Sequence, residues 1–177
     1  VYDAILNRKE RDLFDETTPP PAMSLDEALA KVADGAVLLD TRDPEEYARG
    51  YLVGSINVGL EGRYAEYAGS VVPSDADIVL ITDPGAELEA KIRLGRIGFD
   101  RVVGHVETPL VAMAEHPELT RVASRLSAVV LEERRGELGD LQLVDVRGPG
   151  EVALGAIPGS INIPVGSLDD EVGRLDP

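Results

Sequence analysis

Two sets of side chains in this sequence have the types and spacing to do chemistry. Asp40, Arg42 and Glu46 form the first set. They recur as Asp145, Arg147 and Glu151, at a constant offset of 105 positions (147 − 42). At a strand end, an aspartate two residues ahead of an arginine can accept hydrogen bonds from loop amides. Arg42 and Glu46 are four apart at the start of a short helix, a spacing that allows them to pair. Ion-paired loop residues are more often scaffolding than chemistry, so the six are read as structural. The second set is the loop Asp83-Pro84-Gly85-Ala86-Glu87-Leu88, whose two carboxylates could hold a small cation or amine. Asp83 also suits the N-cap of the helix that follows, and that is its expected role. His105 and His116 are the only histidines and have no ligand pattern around them, so no metal site is expected. There is no cysteine. That removes disulfides, thiolate metal sites and thiol catalysis.

The elements that must position these groups follow from pattern. Ser24 and Glu27 make a capping box for a helix that runs through Ala28, Leu29 and Val32 and stops at Gly35. Val37-Leu38-Leu39 is a short apolar run suited to a buried parallel strand that ends at Asp40. A helix is predicted over 44–49, with Gly50 as a left-handed C-cap, then a strand at 56–58. Residues 60–70 read as a helix with Tyr64 and Tyr67 on one face, in a core or rim role. A buried strand is predicted over 77–82. The helix after the loop spans Glu87 to Arg96, with Leu88 and Ile92 sharing a face, and ends at Gly98. Arg101 to Gly104 is the last strand of this unit. Pro109 to Pro117 is expected to be a connector, and Ser127 to cap a helix through Leu131 to Arg135. Leu141 to Val144 reads as a strand, and Ser167 to Asp170 as a helix start. Strands alternating with helices call for a parallel sheet with helices on both faces.

The two long stretches behind the repeat are LLDTRDPEEYARGYLVGSINV, residues 38–58, and LVDVRGPGEVALGAIPGSINI, residues 143–163. They align without a gap. They resemble the rhodanese-like (sulfurtransferase-like) family, whose domain carries D-x-R and then E-x-x-x-G-x-I-x-G-[AS]-x-N. Leu52 stands for the isoleucine in the first copy. The resemblance spans residues 24–108, and from 118 to 177 it covers only the first half of a second unit. It implies an α/β fold: a rhodanese-like parallel sheet with helices on both faces, followed by an incomplete second copy. It also implies an active loop C-x-x-x-x-R after the buried strand at 77–82, whose cysteine takes up sulfur as a persulfide. Here Asp83 stands at the cysteine position and Leu88 at the arginine position. A carboxylate cannot accept a sulfane sulfur as a thiolate does, and Asp83 and Glu87 would repel thiosulfate. The resemblance therefore implies the fold without the reaction. Phosphatase relatives of the fold need the same cysteine and are excluded with it.

Composition sets outer bounds. The 177 residues allow one large or two small domains. An apolar content of 44% with 28% charged residues is ordinary for a soluble globular protein. The net charge of −16 argues against nucleic acid and anionic membrane as partners. No apolar run is long enough to cross a bilayer, and the default location is cytoplasmic. The domain reading is a linker over 1–23, a rhodanese-like domain over 24–117 with its active-site cysteine replaced, and the first half of a second domain over 118–177. Thr17-Thr18-Pro19-Pro20-Pro21 makes the linker stiff and extended. This arrangement resembles the C-terminal part of bacterial fusions in which a metallo-β-lactamase-fold hydrolase, often a persulfide dioxygenase, precedes rhodanese-like units.

The functional expectation is a catalytically inactive rhodanese-like scaffold or regulatory region of a sulfur-metabolism protein, fused to such a hydrolase. The chain itself is expected to carry no catalytic residue, cofactor or metal. Its expected partner is the upstream domain, and a homo-oligomer is allowed. The alternative is a thiosulfate or persulfide sulfurtransferase whose cysteine lies in the half of the second domain that follows Pro177.

Overall fold

The structure is a computed structural model that describes residues 14–175. Residues 1–13 of the linker expected over 1–23 lie outside the described residues. The chain divides into two compact units, one ending at Ala123 and the other beginning at Ser124.

The first unit is built on a five-stranded parallel sheet. Its strands are β1 (Ala22–Met23), β2 (Val37–Asp40), β4 (Ile56–Asn57), β5 (Ile78–Ile81) and β6 (Val102–Val106), in the spatial order β1-β6-β5-β2-β4. A short β3 (Tyr51–Leu52) lies outside this sheet and pairs antiparallel with β7 (Thr120–Arg121). The helices are α1 (Leu25–Ala33), α2 (Pro44–Arg49), α3 (Tyr64–Val71), α4 (Glu87–Gly95) and α5 (Pro109–Glu115). Every side chain of β5 is fully buried, the pattern of a central parallel strand covered on both faces. Alternation divides it: Ile78 and Leu80 pack with Tyr64, Ala68, Ala90 and Leu94, while Val79 and Ile81 pack with Leu25, Ala28, Leu38 and Met113. The fold is therefore α/β, with helices on both faces of a parallel sheet, the architecture the resemblance implies.

Local details follow the sequence closely at the start of this unit. Ser24 and Glu27 form the reciprocal capping box, and Gly35 leaves α1 at φ 99°. Two expectations need correction. Gly50 is extended, at φ 176°, and so is not a left-handed cap. The connector expected over 109–117 is mostly helix, because Pro109, Ala112 and Met113 bury one face of α5 in the core. On α4, Leu88 and Ile92 share a face as expected, lining a groove of about 390 Å3 with Gly85, Glu89, Arg93 and Arg96, while Ala90 and Leu94 face the core. Tyr64 and Tyr67 also part company: Tyr64 is fully buried and Tyr67 half exposed, beneath the Arg63 guanidinium.

The second unit contains α6 (Ala128–Arg134), β8 (Val144–Asp145), α7 (Pro149–Val152), β9 (Ile161–Asn162) and α8 (Leu168–Glu171). Ser127 caps α6 by accepting the Val130 N–H, as its type and position predict. β8 and β9 pair in parallel, Val144 with Ile161 and Asp145 with Asn162, just as Leu39 pairs with Ile56 and Asp40 with Asn57. Gly54 and Gly159 both turn the chain at φ 82°, a value that favours glycine. Leu131, Leu141, Leu143 and Ile157 line an apolar cleft of about 780 Å3 within this unit.

Candidate functional site

The sheet brings two loops together at the carboxyl ends of its strands. β2 and β5 are neighbours, with Asp40 opposite Ile81. Thr41 ties the next step, its N–H donating to the Ile81 carbonyl at 2.8 Å and its hydroxyl to the same oxygen at 3.3 Å. Asp40-Thr41-Arg42 therefore lies beside Thr82-Asp83. Ligand crevices of parallel α/β sheets form at such strand ends.

Asp40 and Arg42 make a buried polar centre at these strand ends. The Asp40 carboxylate accepts the Arg42 backbone N–H at 3.0 Å and the guanidinium at 3.0, 3.2 and 2.5 Å. Arg42 Nη2 donates further to the Gly50 carbonyl at 2.9 Å and touches Met113 Sδ at 4.0 Å. Asn57 Nδ2 closes the turn from β4, donating to the Asp40 and Arg42 carbonyls at 3.0 Å each. Asp40 and Arg42 side chains are 0% and 3% exposed. Burial pushes the Asp40 carboxyl above its ordinary value, although the bonds from Arg42 pull it the other way. Here the expected Arg42–Glu46 pair is corrected. Arg42 turns inward to Asp40, and Glu46 pairs on the exposed face of α2 with Arg49.

The same bond set is present in the second unit. Asp145 accepts the Arg147 N–H at 3.1 Å and its guanidinium at 2.9, 3.2 and 2.5 Å. Arg147 Nη2 reaches the Gly155 carbonyl at 2.9 Å, and Asn162 Nδ2 donates to the Asp145 and Arg147 carbonyls at 2.8 and 2.9 Å. Glu151 accepts the Gly148 N–H at 3.0 Å and so caps α7. Each copy brings its Asp and Arg together while leaving its Glu apart.

The loop 83–88 is built differently from its expectation. α4 begins at Glu87 with Ala86 as its cap, and no side chain caps it. Asp83 enters through its backbone, its carbonyl accepting the Ala86 N–H at 3.0 Å. Gly85, at φ 91°, makes the turn that separates Asp83 from the helix start. Its N–H is taken by Glu87 at 3.1 Å. The expected side-chain cap by Asp83 is therefore corrected: the helix starts too late for it. Glu87 and Glu89 occupy the first turn of α4, where a helix N-terminus would otherwise attract an anion. The charge here is negative, opposite to what thiosulfate would need.

Two buried hydroxyls carry no mark in the sequence. Tyr64 and Thr82 have no hydrogen-bond partner for their hydroxyl oxygens among the described residues. Thr82 directly precedes Asp83, and nothing in its sequence context marks it. Asn57 was legible only as part of the repeated Gly-Ser-Ile-Asn. Among the described residues no group of three or more His, Cys, Asp or Glu could hold a metal ion. The histidines are engaged separately, His105 with the Pro20 carbonyl and His116 with Glu118. Among the described residues no helix is long and apolar enough to cross a membrane.

Comparison with known proteins gives the following. The family described as Rhodanese-like domain matches residues 24–108. No curated protein sequence matches the chain. Among solved structures, the Rhodanese_3 like domain of an Anabaena sp. protein is similar at 21% identity and a TM-score of 0.46. That match covers 53% of this chain and 99% of the other. A thiosulfate sulfurtransferase from Pseudomonas aeruginosa is similar at 18% identity and a TM-score of 0.48, covering 88% of this chain and 36% of its own. A metallo-beta-lactamase from Staphylococcus aureus is similar at 24% identity and a TM-score of 0.46, covering 59% and 28%.

Proposed function

We propose that this rhodanese-like domain, residues 24–108, is a catalytically silent member of its fold that serves as a scaffold or regulatory region. One observation carries the reading. Asp83 stands in the loop after β5, at the position of the family's sulfur-accepting cysteine, and the whole sequence contains no cysteine. Sulfur transfer by this route needs a thiolate that attacks the sulfane sulfur of thiosulfate, expels sulfite and becomes a persulfide, whose outer sulfur cyanide then takes as thiocyanate, releasing the thiolate. A carboxylate has no such chemistry, and the acidic first turn of α4 disfavours an anionic donor. The test is thiocyanate formation from thiosulfate and cyanide. The rate with the purified chain is expected to equal the protein-free control, and turnover well above it would overturn the reading.

The proposal extends to context. The region belongs to a larger sulfur-metabolism protein, joined covalently to an upstream metallo-β-lactamase-fold hydrolase, and residues 118–177 begin a second rhodanese-like unit. The gapless repeat and the shared bond set around Asp40 and Asp145 support the second unit. The proline-rich lead-in supports the fusion. Intact mass of the protein from its natural cell tests it: a mass far above 18.9 kDa is expected, and a mass at 18.9 kDa removes the fusion.

A further inference from the structure

The lead-in to the sheet is held at every step. Phe14 lies against Gly95, in the last turn of α4, so closely that a Cβ on Gly95 would sit 2.3 Å from its ring. Lys91, one turn earlier, places its ammonium 5.6 Å from the centre of the same ring. It also donates to the Thr18 carbonyl at 2.8 Å and lies 3.9 Å from the Asp15 carboxylate. Asp15 is fixed in turn by the Thr17 N–H and hydroxyl and by the Thr18 N–H, at 2.8, 2.7 and 3.2 Å. Beyond the prolines, the Pro20 carbonyl meets His105 Nδ1 at 2.9 Å and the Pro21 carbonyl accepts the His105 N–H at 2.9 Å. Met23 then fills the space over Gly104.

Gly95 is the informative residue. It lies inside a helix, where glycine is a poorer choice than alanine, and its backbone is not among those with positive φ. What occupies the place a side chain there would take is the ring of Phe14. We propose that Phe14–Met23 is a clasp, locked by Phe14 in the notch at Gly95, that ties the lead-in to the sheet onto the helix following loop 83–88. The clasp rests on these contacts and goes beyond the scaffold reading.

The experiment is amide hydrogen exchange on the full chain and on F14A, G95A and F14A/G95A. Amides in the last turn of α4 are expected to exchange about tenfold faster in F14A and in G95A. The double variant should exchange no faster than F14A, because the ring that alanine would strike is gone and alanine favours the helix. Unchanged α4 exchange in F14A would overturn the clasp. So would G95A slowing exchange in the wild-type background as much as it does beside F14A. Sulfur turnover in the thiocyanate assay would sink the scaffold reading and leave the clasp standing.

Discussion

Asp40–Arg42 and Asp145–Arg147 are one structure in two environments. Their guanidinium–carboxylate distances agree to 0.1 Å, from 3.0 against 2.9 Å to 2.5 against 2.5 Å, and each arginine caps an equivalent glycine carbonyl at 2.9 Å. The difference is water. The Asp40 and Arg42 side chains are 0% and 3% exposed, whereas Asp145 and Arg147 are 10% and 45% exposed. In the first unit burial dominates and raises the Asp40 carboxyl above its ordinary value. In the second unit the bond from Arg147 dominates and lowers Asp145. Identical geometry thus gives opposite electrostatics, because the cost of removing charge from water depends on what covers the pair.

Breaking the pair should separate the copies most sharply. Arg42→Ala leaves a buried carboxylate without its partner and is expected to cost about 3–5 kcal/mol. Arg147→Ala, with solvent at hand to replace the guanidinium, should cost no more than about 1 kcal/mol. Tyr47, Tyr51, Tyr64 and Tyr67 all lie in the first unit, so tyrosine fluorescence during urea unfolding reads Arg42→Ala directly. Exchange of the Ile161 and Ile163 amides, bonded to Leu143 and Asp145, reads Arg147→Ala. Equal losses in the two copies would show that burial is not what distinguishes them.

Acidity tests the same contrast with opposite signs. The folded state raises the Asp40 value, so it holds that proton more tightly than the unfolded chain does. Its contribution is fully present below the ordinary aspartate value of about 3.9 and is lost as pH rises through the raised one. Asp145 is lowered on folding. Its contribution is present above the ordinary value and is lost as pH falls through the lowered one. Urea midpoints of wild type, D40N and D145N across acidic pH are expected to diverge accordingly. The wild-type advantage over D145N shrinks toward acid, and that over D40N shrinks as pH rises. Parallel trends would contradict the assignment.

The helix caps extend the comparison at smaller scale. Ser24 accepts the Glu27 N–H at 3.3 Å, and Glu27 returns the favour by accepting the Ser24 N–H at 2.8 Å. Ser127 accepts the Val130 N–H at 3.2 Å, and a valine has nothing to return. Ser24→Ala is therefore expected to cost about 1 kcal/mol and Ser127→Ala about 0.5 kcal/mol. Thermal unfolding followed by helix circular dichroism measures both, and a larger loss for Ser127→Ala would reverse the argument.

What the sequence made legible was local or repeated. The capping box and the buried strands expected at 37–40 and 77–82 rest on short-range pattern. The parallel sheet follows from strand–helix alternation. Three things depended on contacts remote in sequence. Arg42 turned toward Asp40 because the core wall at Met113 and the Gly50 carbonyl wait for it, whereas i, i+4 spacing alone favoured Glu46. α5 was hidden behind two prolines, since its helical signal comes from the face it buries. The Phe14–Gly95 contact joins residues 81 apart (95 − 14), and no local pattern encodes it.

Asp83 offers the smallest expected effect and a sharper comparison, this time with its neighbour Asp40. Both are carboxylates at adjacent strand ends. Asp40 is buried and multiply bonded, while Asp83 is exposed and joins the loop only through its carbonyl. Asp83→Ala should therefore change stability by less than about 0.5 kcal/mol, the range of an exposed substitution, where a true cap would cost about 1 kcal/mol. Its charge still reaches Asp40: after burial, the Asp83 carboxylate adds to the forces that raise the Asp40 value. Asp83→Asn removes that charge and keeps the shape. An NMR titration of the Asp40 carboxyl carbon is expected to move toward the ordinary aspartate value in Asp83→Asn while the melting temperature stays put. A large loss of stability would instead place Asp83 in a buried, multiply bonded role. An unmoved Asp40 titration would mean that solvent screens the two strand ends from one another, and the two carboxylates would then be independent.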